Sequence, residues 1–274
     1  LPTYITDYLN SLDLPFNLND HDLIEHMIKA HIKFFNFSSI NVILGEELSL
    51  EPEALFKRVI NKRRGGYCFE HNKIFHLALK HLGFDVRPLI ARVMLNGDPE
   101  NGRSHRLTLL TLNKQQYIID VGFGVMTPRT LIPLVKGASL EIPFAKYQVE
   151  FDESDTYRVI KTDDIKPVIL YRLDLSESTE TDCDISHFYS HKHKNAAFVN
   201  HLVVSRIEKN QRYLIRNLTF THFDELNNIE HINKVTSANA LQQILLNTFN
   251  INITDKEAEL LFLHQNKYLT KLAA

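Results

Sequence analysis

The spacing of apolar residues changes at Gly83, and that change divides the chain into stretches that must fold differently. Before it, Leu23, Ile24, Met27, Ile28 and His31 behind Asp20 recur at three- and four-residue steps. Leu55, Phe56, Val59 and Ile60 do the same behind Ser49-Leu50-Glu51-Pro52, so both stretches predict capped amphipathic helices. A third helical stretch carries Phe69, Ile74, Leu77, Ala78 and Leu82 and stops at Gly83, a residue that can take the left-handed cap. Beyond it, β-branched and apolar runs at 86–95, 106–112 and 116–121 predict strands, with Asn113-Lys114-Gln115 as a polar hairpin connection. Further runs at 147–152, 157–161, 168–175, 198–207 and 211–220 predict more. Two helices close the chain, one from Ser237 and one from the capping box Thr254-Asp255-Lys256-Glu257. The order reads as an α+β protein: a helical unit over 1–83, an antiparallel sheet or barrel over 84–190, and a third unit over 191–274.

Composition removes several classes of function. With 44% hydrophobic and 23% charged residues over 274 positions, the chain has enough apolar material for a sizeable core and is not a disordered segment. A formal net charge of −2 gives no general attraction to nucleic acid or to an acidic membrane, so an anionic ligand must meet local Lys and Arg. No run approaches the ~20 apolar residues of a membrane span, and Leu1-Pro2-Thr3-Tyr4 does not open a signal peptide. Two cysteines, Cys68 and Cys183, cannot build a disulfide framework and show no metal-ligand spacing, which predicts a cytoplasmic protein without a metal.

Chemistry concentrates at Arg63-Arg64-Gly65-Gly66-Tyr67-Cys68-Phe69-Glu70-His71-Asn72. Cys68 falls in the first turn of the third helix, where unpaired N–H groups and the positive end of the macrodipole favour thiolate over thiol. Arg63 and Arg64 are expected to add charge, and the glycine pair to let a substrate approach. Ser104-His105-Arg106 opens one strand and Asp120-Val121-Gly122-Phe123-Gly124 ends its neighbour. A hairpin turning at 113–115 sets positions near 105–107 against 120–122, so His105 and Asp120 can lie side by side. Cys68, His105 and Asp120 then supply a nucleophile, a base and an orienting acid. His71 competes for the base, but one turn along the same helix it is poorly aimed at the sulfur.

These three motifs, in this order, resemble the signature of the arylamine N-acetyltransferases. The resemblance implies a helical first domain, a central β-barrel and a C-terminal α/β domain around a papain-like Cys-His-Asp site. It implies that Cys68 takes acetyl from acetyl-CoA in a ping-pong reaction and passes it to an arylamine or hydrazine. Oligomeric state is not legible. Phe37, Val93 and Phe123 are expected to line the acceptor cleft.

The chain departs from the family at two places. Asn36-Phe37-Ser38-Ser39 stands where the family has Pro-Phe-Glu-Asn, so Arg64 must find another carboxylate, of which Glu70 is nearest in sequence. Lys194-Asn195-Ala196 stands where the family has Pro-x-Ser beside coenzyme A, so Lys192 and Lys194 are expected to meet its phosphates. His187, His191 and His193 of this stretch read as part of a solvated polar connection, not a metal site. Cysteine hydrolases, transglutaminase-like acyl transferases and amide-forming transferases of larger acyl groups use the same Cys, His, Asp order. A non-catalytic scaffold predicts a missing member, and none is missing.

Overall fold

The computed structural model describes residues 1–152, 155–162 and 166–273. Helices α1 (Thr3–Ser11), α2 (Asp20–Phe34), α3 (Ile40–Ile43), α4 (Pro52–Phe56) and α5 (Cys68–His81) make up the first part, with a two-residue strand β1 (Phe37–Ser38) between α2 and α3. The helix from Pro52 continues as a π-helical turn over Lys57–Asn61. The cap of α2 is Asn19, whose side chain accepts the Asp22 N–H at 3.0 Å, and not Asp20, which is the first helical residue. Helix α5 has 11 of its 14 residues buried, polar ones included, so it is the pillar around which the others pack.

Strands β2 (Asp85–Val93), β3 (Arg103–Leu112), β4 (Gln115–Ile119), β5 (Ile132–Pro133), β6 (Ser139–Ile142), β7 (Ala145–Phe151), β8 (Tyr157–Lys161) and β9 (Val168–Leu173) form one antiparallel sheet. Its order is β5-β4-β3-β2-β9-β8-β7-β6, and it curls into a near-closed barrel around Leu89, Leu107, Ile118, Val159 and Leu170. The β3–β4 turn is shorter than expected: Asn113 and Lys114 alone sit at φ 52° and 66°, as a two-residue hairpin loop requires, and Gln115 already pairs.

The stretch from 180 onward departs most from the sequence reading. Residues expected to be a solvated connection form α6 (Glu180–Lys192), started by Thr179 and Asp182, which cap each other's backbone N–H groups. The expected strand at 198–207 begins as a helical turn, α7 (Ala197–Asn200), because the Asn200 amide donates to the carbonyls of Lys194 and Ala196. The expected run at 211–220 is two strands, since Asn217 at φ 56° turns the chain between them. Strands β10 (Val203–Glu208), β11 (Gln211–Arg216), β12 (Thr219–Asp224) and β13 (Ile229–Lys234) continue in sequence order, with β1 added on the outer side of β10. This sheet is antiparallel throughout, and α8 (Ala238–Phe249) and α9 (Asp255–Ala273) follow it, not alternate with it. Both closing helices start where expected, with Ser237 and Thr254 capping them.

Candidate active site

The start of α5 is fixed from several directions. Glu70 reaches back to accept the Tyr67 N–H at 3.0 Å and also accepts Arg58 Nε and Nη2 at 2.9 and 2.8 Å. Breaking a buried pair of this kind by removing one partner costs about 3–5 kcal/mol, so the first turn is rigidly held. Arg64 therefore does not meet Glu70, as proximity in sequence suggested. It bridges Glu46 at 2.8 Å and Glu257 at 2.7 Å, and so ties the loop before Cys68 to α9. Arg63 is exposed and lines a cleft of about 340 Å³ with Lys33 and Arg206, from which Cys68 is absent. The expected arginine contribution to the field at the thiol thus falls away, leaving the helix terminus and the imidazole.

His105 and Asp120 come together as the hairpin geometry requires. The Thr108–Ile119 register sets Leu107 opposite Asp120, and His105 Nε2 donates to Asp120 Oδ2 at 2.7 Å. Its other ring nitrogen, Nδ1, is not engaged by Asp120, and the Cys68 sulfur lies close enough to act on the ring. Burial disfavours the imidazolium, but the Asp120 carboxylate, its hydrogen bond and the Cys68 sulfur outweigh burial and lift the ring to about 10. A bulge between Ala91 and Arg92 shifts the β2–β3 register here, and the Ser104 carbonyl lies 3.8 Å from Cys68 Sγ. All three side chains are nearly removed from solvent, Cys68 at 3%, His105 at 2% and Asp120 at 1%.

Asn72 joins these pieces, a role its place in the motif did not announce. Its Nδ2 donates to the Arg106 carbonyl at 2.7 Å and to Asp120 Oδ1 at 3.0 Å, while its Oδ1 accepts the Val121 N–H at 3.0 Å. Asp120 Oδ1 also accepts the Gly122 N–H at 2.9 Å, so the carboxylate is held by three donors.

His71 is occupied elsewhere. Its Nε2–H donates to the Asn36 carbonyl at 3.0 Å, so Nδ1 must accept from His31 Nε2–H at 2.8 Å. His31 Nδ1 in turn accepts the Tyr8 hydroxyl at 2.8 Å. Every proton of this buried relay is assigned by that single terminal carbonyl. Burial pushes His71 down to about 4 and His31 well below its ordinary value, with His71 adding to the effect on His31.

Of the expected acceptor contacts, Phe123 lies edge-on to His105 with ring centres 4.9 Å apart, and Phe37 stacks on His71 at 6.4 Å. Val93 pairs with Tyr171, whose ring lies 5.5 Å from that of His105. Lys192 and Lys194 are exposed. Lys192 lines a cleft with Gly45, residues 47–51, Lys73, His187 and His191 that includes neither Cys68 nor His105. His187 is buried, contrary to the sequence reading. No group of His, Cys, Asp and Glu among the described residues could hold a metal ion, and no described helix is long and apolar enough to cross a membrane.

Comparison with known proteins adds ancestry to this geometry. The N-acetyltransferase family profile matches residues 20–258. The chain is 31% identical over 221 residues to the arylamine N-acetyltransferase of Escherichia coli K12, covering 80% of this chain and 78% of that one. It is 30% identical over 228 residues to the Salmonella typhimurium arylamine N-acetyltransferase / N-hydroxyarylamine O-acetyltransferase, covering 82% and 80%. The solved arylamine N-acetyltransferase structure from Salmonella typhimurium superposes with a TM-score of 0.88 at 25% identity, covering 96% of this chain and 99% of that one. One from Mycobacterium marinum, in complex with CoA, gives 0.88 at 23%, with the same coverage. Profile, sequence identity and fold agree, and the chain belongs to the arylamine N-acetyltransferases, a family of acyltransferases.

Proposed function

We propose that the protein moves acetyl from acetyl-CoA to the nitrogen of an arylamine or hydrazine by a ping-pong route through acetyl-Cys68. The observation that carries this reading is His105, buried between Asp120 and the Cys68 sulfur with its ring lifted to about 10. Cys68 acts as thiolate beside the His105 imidazolium. The sulfur bonds to the thioester carbon, and the Cys68 N–H at the helix terminus steadies the oxyanion. The bond to the coenzyme sulfur breaks, and that sulfur takes the proton of His105, so free coenzyme leaves and His105 is neutral. The acceptor amine then attacks acetyl-Cys68, His105 takes its proton, and the thiolate and imidazolium return. Asp120 keeps the imidazole in the tautomer that aims Nδ1 at sulfur.

Phe37, Val93 and Phe123 line the acceptor side in this reading, supported by the nearness of Phe123 to His105. Lys192 and Lys194 supply charge to the coenzyme phosphates, supported by their exposure. Domain divisions near 83 and 190 are supported by the barrel strands having an apolar cluster of their own, although Ile90, Leu110, Leu112, Ile119 and Cys183 pack with the first helices and Ile40 with the C-terminal sheet; two free cysteines suit a cytoplasmic setting. Intact-mass spectrometry after acetyl-CoA is added without an acceptor tests the reaction: one acetyl on Cys68 supports it, and an unmodified chain that still turns over refutes the covalent route. The lysines are tested by ionic strength. The Michaelis constant for acetyl-CoA is expected to rise with salt, and Lys192→Ala with Lys194→Ala to remove most of that rise while acetylation by p-nitrophenyl acetate is unchanged. A double variant with the wild-type salt response puts the phosphates elsewhere.

A further inference from the structure

Helix α6 touches both reacting groups at one remove. Glu180, its first residue, accepts from Arg106 Nη1 and Nη2 at 2.9 and 2.6 Å and from Lys73 at 3.0 Å. The Arg106 side chain is wholly buried and directly follows His105 on β3. Two turns along the same face, His187 Nε2–H donates to the Leu48 carbonyl at 2.7 Å. That bond leaves His187 Nδ1 as acceptor, and it takes the Tyr67 hydroxyl at 2.5 Å with the two rings stacked. Tyr67 directly precedes Cys68 and is itself fully buried. Cys183, between Glu180 and His187 on this face, is buried in the same core as Cys68 and Tyr67. The opposite face is exposed at Ile185, Phe188 and Tyr189.

We propose that α6 is a strap that sets the separation of Cys68 from His105, with Glu180 and His187 as positioning residues. The sulfur rides on α5 and the imidazole on β3. Asn72 joins these two elements at the Asp120 end of the site, where α5 packs along β3. The Glu180 to Arg106 and His187 to Tyr67 contacts add a tie to the residue after His105 and another to the residue before Cys68, and together they fix the relative pose. A sulfur to nitrogen hydrogen bond is sensitive to sub-ångström displacement, so a strap of this kind acts on reactivity beyond its effect on folding.

The proposal rests on the reading of Cys68 and His105 as the reacting pair, and its test separates the two. The pH profile of Cys68 alkylation by iodoacetamide is measured with thermal unfolding and acetyl-Cys68 formation for wild type and for Glu180→Gln, His187→Phe, His187→Asn, Tyr67→Phe and Ile185→Ala. His187→Phe and Glu180→Gln are expected to lower alkylation at neutral pH by about 10–100-fold and to move the profile towards that of a free cysteine. His187→Asn, which keeps an acceptor for Tyr67, is expected to recover much of the loss, and Ile185→Ala to match wild type. Tyr67→Phe removes one hydroxyl from an otherwise intact packing and serves if the larger changes do not fold. Variants that melt lower but keep the wild-type pH profile overturn the strap. Wild type that never carries acetyl on Cys68 overturns the catalytic reading instead, and the alkylation profiles still decide the role of α6.

Discussion

Gly122→Ala isolates the packing on which the site depends. Gly122 follows Asp120 by two residues, and a Cβ built there falls 2.9 Å from Cys68 Cα, 3.3 Å from the Cys68 carbonyl oxygen and 2.9 Å from Asn72 Nδ2. Ordinary contact begins near 3.4 Å, so the first turn of α5 must withdraw by about 0.5 Å, and two of the three neighbouring atoms are backbone, which yields least. Gly122 does not sit at positive φ, so alanine meets no torsional penalty and the effect is steric alone. Overpacking costs about 1–3 kcal/mol, and the stiffer unfolded chain returns about 0.4–1 kcal/mol. The net loss of about 1–2 kcal/mol lowers the melting temperature by roughly 2–8 °C in a chain of this size. Activity is expected to fall further than stability suggests, by about 10–100-fold in kcat/KM, because the same movement separates Cys68 from His105 and strains the Asn72 clamp on Asp120. Release of p-nitrophenol from p-nitrophenyl acetate, read beside a thermal melt, measures both. Gly102→Ala, where an added Cβ meets nothing within 4 Å, is the control. A Gly122→Ala enzyme with wild-type kcat/KM refutes the claim that this contact fixes the site.

Iodoacetamide at neutral pH is expected to label Cys68 and spare Cys183, whose thiol burial pushes up to about 11; Asp120→Ala should slow the Cys68 reaction, and equal labelling of the two cysteines refutes the ion pair. The raised His105 contributes stability that is complete below about pH 6.5 and disappears as pH climbs through about 10. Denaturant titrations should therefore show wild type losing more stability than Asp120→Asn between pH 7 and 10, and parallel losses contradict the assignment. His71 and His31 have the opposite sign: their depressed values mean that stability present above about pH 6.5 is lost as pH falls towards 4. His71→Gln, which can still donate to Asn36, should flatten that acid limb, and an unchanged limb places the acid sensitivity elsewhere. Arg64→Ala should cost about 1–2 kcal/mol, because both partner carboxylates keep access to water, and a double-mutant cycle with Glu257→Gln should show coupling. Additive effects in that cycle refute the bridge to α9.

The parts of the site that lie close in sequence were legible. A two-residue turn at Asn113-Lys114 makes the His105 and Asp120 pairing a matter of counting along two strands, and the end of an apolar period marks where Cys68 begins its helix. What escaped was held together across long separations or by polar residues. Helix α6 buries Cys183, His187 and Ser190 against the core, so its inner face carries little apolar signal and its stretch passes for a loop. Arg64 chooses Glu46 and Glu257, 18 and 193 residues away, over the nearer Glu70, because Arg58 already occupies Glu70. Strand β13 has all six residues exposed and β1 only two residues, too little pattern for any period to register.

The two-residue strand β1 also dictates when the site can exist during synthesis. Its pairing with β10, and the Ser39 hydroxyl that receives the Val203 N–H, wait for residues 164 positions downstream. Phe37 and Ser38 also bridge to Gly66, so the loop ahead of Cys68 takes its support from the same late partner. At ~5–20 residues per second on the ribosome, the first helices emerge roughly 10–30 s before that support arrives. Arg64 waits longer still, for Glu257. In a nascent chain the glycine loop before Cys68 therefore lacks these ties until the C-terminal sheet and α9 have been made.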